Sequence, residues 1–182
     1  MILSEKIVNC DLWAGTIDIL TGYEDFKSEV EFDELTHIYT LNGEEIPSVT
    51  SLLDDGCYKN VDKKILENAS KRGIIIHKEI ETYLKTSIKG FTEEFYEFLT
   101  IYIRNKEKFE NRAIFDVKTY SSNSPEKRRK CYTQTLMYGK CVEYLTGIKP
   151  EKHYEIWLPH NKKGKLIDLD SEFGGKDEYN EW

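Results

Sequence analysis

Apolar positions fall into short alternating runs toward both ends of the chain and into helical repeats through its middle. Residues 6–10 and 14–20, rich in Ile, Val, Trp and Thr, predict two short strands with Asp11 as turn material between them. Residues 21–36 are polar and acidic with scattered aromatics, and read as a linker. Residues 37–40 and 45–49 then flank Leu41-Asn42-Gly43-Glu44, where Asn-Gly between two such runs predicts a hairpin. Pro47 makes the second arm an edge strand or the approach to a helix that Ser48 or Thr50 could cap.

Helical spacing takes over at 62–85, with Ile65, Ala69, Ile76, Ile80 and Leu84 on one face and Gly73 as an interruption. A second helix is expected over 92–109, capped by Thr92, with Phe95, Phe98, Leu99, Tyr102 and Ile103 inward. AIFDVKT (113–119) is a compact strand. Pro125 suits the first turn of a third helix, which Gly147 and Pro150 stop. Residues 154–158 and 165–169 flank HNKKG as a second hairpin, and the Gly-rich acidic stretch after Asp170 is expected to fray. Strands and helices do not alternate, so the order predicts an α/β domain with a central mixed β-sheet flanked by helices, and not a doubly wound fold. We expect one domain over 1–170 and an acidic tail over 171–182.

Composition changes this picture little, but charge adds to it. The 182 residues suffice for a core without disulfide or structural metal. The net charge of −7 argues against coating duplex DNA through bulk charge. The charge is divided, however: residues 1–36 carry −7 and 168–182 carry −5, which leaves +5 on 37–167. A nucleic-acid partner for the middle is therefore open. No stretch reaches the roughly 20 apolar residues of a membrane span, and MILSEKIVNC lacks the pattern of a secretory signal. Cys10, Cys57, Cys131 and Cys141 form no CxxC pair, so reduced thiols and a cytoplasmic location are expected, with no iron–sulfur cluster.

Four groups of residues could carry chemistry. In the strand 113–119, Asp116 and Lys118 project to one side and Phe115 and Val117 to the other. A carboxylate can hold a divalent metal, and a neighbouring ammonium can orient water and offset developing negative charge. An exposed ion pair is the plainer alternative. Asp18, in Ala14-Gly15-Thr16-Ile17-Asp18, would supply a second carboxylate if its strand lay beside the first, or would simply end a strand. His77 and Glu81 share a helix face at i,i+4, which suits a ligand and its support as well as it suits an ordinary helix surface. Gln134 and Tyr138 share a face in the same way. They follow Lys127, Arg128, Arg129 and Lys130, cations at the helix end that the macrodipole disfavours. A phosphate partner would explain that placement, and a solvated run is the alternative.

The combination resembles the PD-(D/E)XK nuclease superfamily, in its RecB-like and phage-type exonuclease branch. Residues 37–53 resemble the opening of phage-type members, RGIIIHKEIE (72–81) the helix motif, AGTID (14–18) the metal-binding aspartate, FDVKT (115–119) the DxK strand and QTLMY (134–138) the QxxxY helix. The resemblance touches most of residues 4–169, with one departure. In the family the AGTID strand follows the RGxxxH helix and directly precedes the DxK strand, whereas here it lies at the amino terminus. We read a restriction-endonuclease-like core with circularly permuted strand order, in which 1–20 is a relocated hairpin and 21–36 its connection.

The resemblance implies metal-dependent hydrolysis of DNA phosphodiesters, as an exonuclease acting on ends. Asp18, Asp116 and His77, with the Val117 carbonyl, would bind one or two Mg²⁺ or Mn²⁺ ions. Lys118 would orient the attacking water, and Glu81 would support or add to the ligands. Gln134 and Tyr138 would position the DNA strand, while Arg72, Lys127, Arg128, Arg129 and Lys130 would hold phosphates. If Asp18 does not dock, Glu107 or Glu110 are the nearby substitutes. A homo-oligomer, a hairpin-swapped dimer or a recombination partner protein would be compatible. A catalytically silent nucleic-acid-binding or protein-interaction module is the second reading, and an endonuclease of the same superfamily the third.

Overall fold

The computed structural model describes residues 8–9, 30–33, 38–53, 62–110 and 112–174. The expected strand over 14–20, with Asp18, lies outside them, as do Cys10 and Cys57.

The chain is mixed α/β, with a small mixed sheet between helices. That sheet has the order β1 (Val8–Asn9), β5 (Ala113–Lys118), β6 (Lys152–Trp157) and β7 (Lys165–Asp168). β1 and β6 run parallel to β5, and β7 is antiparallel to β6. The parallel pair β5 and β6 needs a crossover, which helix α5 (Pro125–Thr146) supplies. A second sheet joins β2 (Val30–Asp33), β3 (Ile38–Leu41) and β4 (Glu44–Ile46), all antiparallel. Asn42 and Gly43 turn the β3–β4 hairpin with φ of 53° and 80°, the left-handed pair that Asn-Gly favours. Ser48 caps the short helix α1 (Val49–Leu52) by accepting from the Ser51 N–H.

Strand β2 corrects the linker expected over 21–36. Val30 and Phe32 alternate with Glu31 and Asp33, a period of two that the acidic composition conceals. Helix α2 (Lys63–Thr86) is capped by Asp62, whose carboxylate accepts from the N–H groups of Lys64 and Ile65. Its inward face is Ile76 and Ile80, while Ile65 is exposed, so the expected face holds only in the second half. The helix expected over 92–109 is two: α3 (Glu93–Arg104), capped by Thr92, and α4 (Lys106–Phe109), with Asn105 between them. Ile101 is buried and Ile103 exposed, the reverse of the expected face for Ile103. Helix α6 (Leu169–Phe173) runs past Asp170 and buries Leu169 and Phe173 against Cys131 and Tyr132 of α5, so the first residues after Asp170 are helical; 175–182 lie outside the described residues.

Side-chain alternation divides the main sheet into two faces. Phe115 and Val117 of β5 and Tyr154 and Ile156 of β6 pack with Ile76, Ile80, Phe95, Phe98 and Phe109 from α2, α3 and α4. The opposite face carries Ile114, which packs with Tyr138 and Val142 of α5. Polar side chains hold the rest of the framework. Glu79 accepts from the N–H groups of Phe91 and Thr92, and a Cβ on Gly90 would come within 2.6 Å of its carboxylate carbon, so only glycine fits there. His160 meets Glu94 at 2.9 Å, and the Gly164 N–H donates to Glu97, which ties the HNKKG turn to α3.

Candidate functional site

Asp116 and Lys118 lie two apart on β5, and the strand period sends both to the face that α5 covers. The Lys118 ammonium stands 2.7 Å from Asp116 Oδ2 and donates to Gln134 Oε1 at 2.8 Å. Gln134 Nε2 in turn donates to the Tyr138 hydroxyl at 2.7 Å. Gln134 and Tyr138 are one turn apart on α5, so the helical period aligns them as the sequence implies. The DxK strand and the QxxxY helix thus form one polar chain, Asp116–Lys118–Gln134–Tyr138. Asp116 is buried, and the Lys118 side chain is 23% exposed, so of the two it is Lys118 that meets solvent.

The third motif meets the residue that follows the DxK strand. Arg72 Nη2 donates to the Thr119 carbonyl at 2.9 Å, and a Cβ on Gly73 would stand 3.3 Å from Thr119 Oγ1. The first residues of RGIIIH therefore abut the end of the DxK strand. Ile76 and Ile80, however, pack α2 on the Phe115 and Val117 face, opposite to Asp116. His77 is half-buried on that helix, and Glu81 binds Lys78 at 3.1 Å and also Lys85, both on its own helix. Among the described residues no three His, Cys, Asp or Glu side chains gather into a group able to hold a metal ion, so His77, Glu81 and Asp116 do not form one cluster.

The basic cluster is largely engaged by its own chain. Lys127 donates to the carbonyl and hydroxyl of Ser122 and lies over the Tyr120 ring. Arg128 forks onto both oxygens of Glu172 and donates to the Asn123 carbonyl. Arg129 lies over the Phe173 ring. These contacts dock α6 and the loop before α5, a structural use of residues that the sequence assigns to phosphate.

One carboxylate escaped the sequence reading. Glu155 of β6 stands in register with Asp116 on β5, on the same face, and is fully buried. Its Oε1 accepts from the Tyr120 hydroxyl at 2.8 Å and from Asn123 Nδ2, and its Oε2 has no hydrogen-bond partner among the described residues. Burial, and then the neighbouring Asp116 charge, hold the Glu155 carboxyl above the usual carboxylate range. The same burial pushes the Cys131 thiol, 3.8 Å from Asp116 Oδ2, well up, which keeps it a thiol and not a reactive thiolate. A glutamate inside the apolar run Tyr154-Glu155-Ile156-Trp157 is the signal that could have found this residue.

No described helix is long and apolar enough to cross a membrane. No family model, curated protein or solved structure matches the chain.

Proposed function

We propose that the chain is a metal-dependent deoxyribonuclease, a PD-(D/E)XK-like enzyme of the RecB and phage-exonuclease type with a permuted strand order. The observation that carries this reading is the hydrogen-bonded chain from Asp116 through Lys118 and Gln134 to Tyr138. Two motifs separated in sequence meet in space, in the pairing that a DxK strand and a QxxxY helix would need. The parallel pairing of Val8 and Asn9 with Ile114 and Phe115 supports the permutation, because it brings the amino-terminal segment to the DxK strand. Strand pairing needs no adjacency in sequence, only a longer loop closure.

Mg²⁺ or Mn²⁺ prefers hard oxygen donors, and Asp116 supplies them beside Lys118. The Val117 carbonyl, Asp18 and His77 are the further ligands that the resemblance implies. When bound, such an ion supplies Lewis acidity toward a phosphoryl oxygen. The protein's own groups do the rest. Lys118, held by Asp116 and Gln134, presents an N–H to the attacking water and offsets charge on the phosphate. Gln134 fixes the ammonium, Tyr138 fixes Gln134, and Arg72 stands at the strand end where a phosphate would approach.

A silent binding module is the second reading. It is favoured by the closure of the site, since Asp116 is 1% and Glu155 0% exposed. Degradation of linear and closed circular DNA with Mg²⁺ or Mn²⁺ separates the readings. Loss of linear DNA alone, abolished in Asp116→Ala and Asp18→Ala, is the expected result for an exonuclease. Loss of circular DNA would make it an endonuclease. Persistence of both substrates would favour the silent module, and activity surviving Asp18→Ala would end the permutation argument.

A further inference from the structure

Asp116 and Glu155 face each other on adjacent parallel strands, both buried, with Lys118 at hydrogen-bond distance of Asp116. Buried carboxylates side by side repel each other unless something positive stands between them. Lys118 Nζ lies on Asp116 Oδ2 and on Gln134, its charge reaches Glu155 only through space, and the groups that touch Glu155 are neutral, the Tyr120 hydroxyl, the Asn123 amide and the Cys131 thiol. Two oxygens in this cluster are buried without a hydrogen-bond partner among the described residues: Glu155 Oε2 and Asn123 Oδ1. Both are acceptors, and the two residues are hydrogen-bonded to each other. Buried acceptors without donors are rare in folded proteins and call for an explanation. Hard oxygens lacking donors, next to a second carboxylate, are what a divalent cation requires.

Resting on the metal-centre reading above, we infer that Glu155 is a metal ligand of this chain, paired with Asp116 across the β5–β6 ladder and assisted by the Asn123 amide oxygen. The ion is oxygen-preferring, Mg²⁺ or Mn²⁺. Such ions bind through one or two carboxylates and take their remaining ligands from water and phosphate, so three side-chain oxygens suffice. The Tyr120 hydroxyl and Asn123 Nδ2 both occupy Glu155 Oε1, which leaves Oε2 for another partner. Trp157 Nε1 donates to the Tyr120 carbonyl at 2.8 Å and Arg128 to the Asn123 carbonyl at 2.9 Å, so both orienting residues are themselves fixed. Tyr120 is thereby a positioning residue and Glu155 a ligand.

The test is Mn²⁺ binding to the full chain, followed by the loss of the free-ion electron paramagnetic resonance signal, without DNA. Wild type, Asp116→Asn, Glu155→Gln and Asn123→Ala are compared, each checked for cooperative thermal unfolding. The expected result is binding by wild type and a weakening of roughly tenfold or more in both Asp116→Asn and Glu155→Gln, with a smaller loss in Asn123→Ala. Glutamine mimics a protonated glutamate, so Glu155→Gln binding as wild type does, while Asp116→Asn loses the ion, would show that Glu155 merely holds a proton. That result overturns this inference and leaves the nuclease reading standing. Wild type that binds no Mn²⁺ overturns both. If Glu155→Gln fails to fold, undiminished binding by Asn123→Ala and by a Glu155→Asp variant overturns the inference, because a shortened carboxylate cannot keep a ligand's reach.

Discussion

Lys118 is held from two sides, by the Asp116 carboxylate and by the Gln134 amide oxygen, and this double contact is the centre of the account. Gln134→Leu removes the hydrogen bond it accepts from Lys118 and the one it donates to Tyr138 together. A loss of about 1–3 kcal/mol in stability is expected, readable by urea unfolding, since each such bond contributes roughly 1 kcal/mol net. Glu155 gives a pH signature. Burial, and next the Asp116 charge, raise its folded pKa above the unfolded value, so the folded state holds the proton longer. The stability from this group is fully present below the unfolded pKa and is lost as pH rises through the folded pKa. Without metal, wild type should therefore lose stability relative to Glu155→Gln as pH climbs above the usual carboxylate range. Identical pH dependence of the two proteins would contradict the assignment. Asp116, Lys118, Gln134 and Tyr138 were legible in the sequence because strand and helix periods alone set their faces. Glu155 was not, since its role depends on the register between two strands separated by a whole helix.

At the scale of elements, the caps and turns followed from local chemistry. Asn42-Gly43, Ser48, Asp62, Thr92 and Gly147 all stand where their side chains or left-handed φ are needed. Asp62→Ala should cost about 1 kcal/mol through loss of the α2 cap, measured as a fall in denaturation midpoint. What local chemistry could not show was the environment. Val30 and Phe32 needed β3 beside them to become a strand, and Ile65 and Ile103 needed a partner surface that the fold does not provide. The basic start of α5 makes the same point, for Arg128 is committed to Glu172 and Asn123. Alanine at both Arg129 and Lys130 should weaken DNA binding and reduce the slope of log K against log salt by about one per lost phosphate contact. An unchanged slope would leave Arg129 its contact with the Phe173 ring and neither residue a phosphate.

For the whole molecule, the two faces of the main sheet divide the labour. The Phe115 face, packed by α2, α3 and α4, supplies the core, and the Asp116 face, covered by α5, holds the polar cluster. The resemblance pairs His77 with Asp116, while Ile76 and Ile80 of the same helix pack on the Phe115 and Val117 face. Arg72 and Gly73 of that helix reach the strand end. If the site binds Mn²⁺, the folded state gains about 2.7 kcal/mol at a hundredfold excess over Kd. For a chain of this size that raises Tm by roughly 5–10 °C. Asp116→Asn should show no such rise in differential scanning calorimetry, and an equal rise in both proteins would place the ion elsewhere.

The most direct test of the central claim is hydrolysis of linear DNA by Lys118→Met, which removes the ammonium and keeps the length of the side chain. Release of acid-soluble nucleotides is followed with Mg²⁺ or Mn²⁺ and with chelator. Metal-dependent release by wild type is expected, with a fall of about a hundredfold or more in the variant, as for loss of a group that stabilises charge at the reacting phosphate. Release that persists in chelator, or that proceeds in Lys118→Met at the wild-type rate, would contradict it.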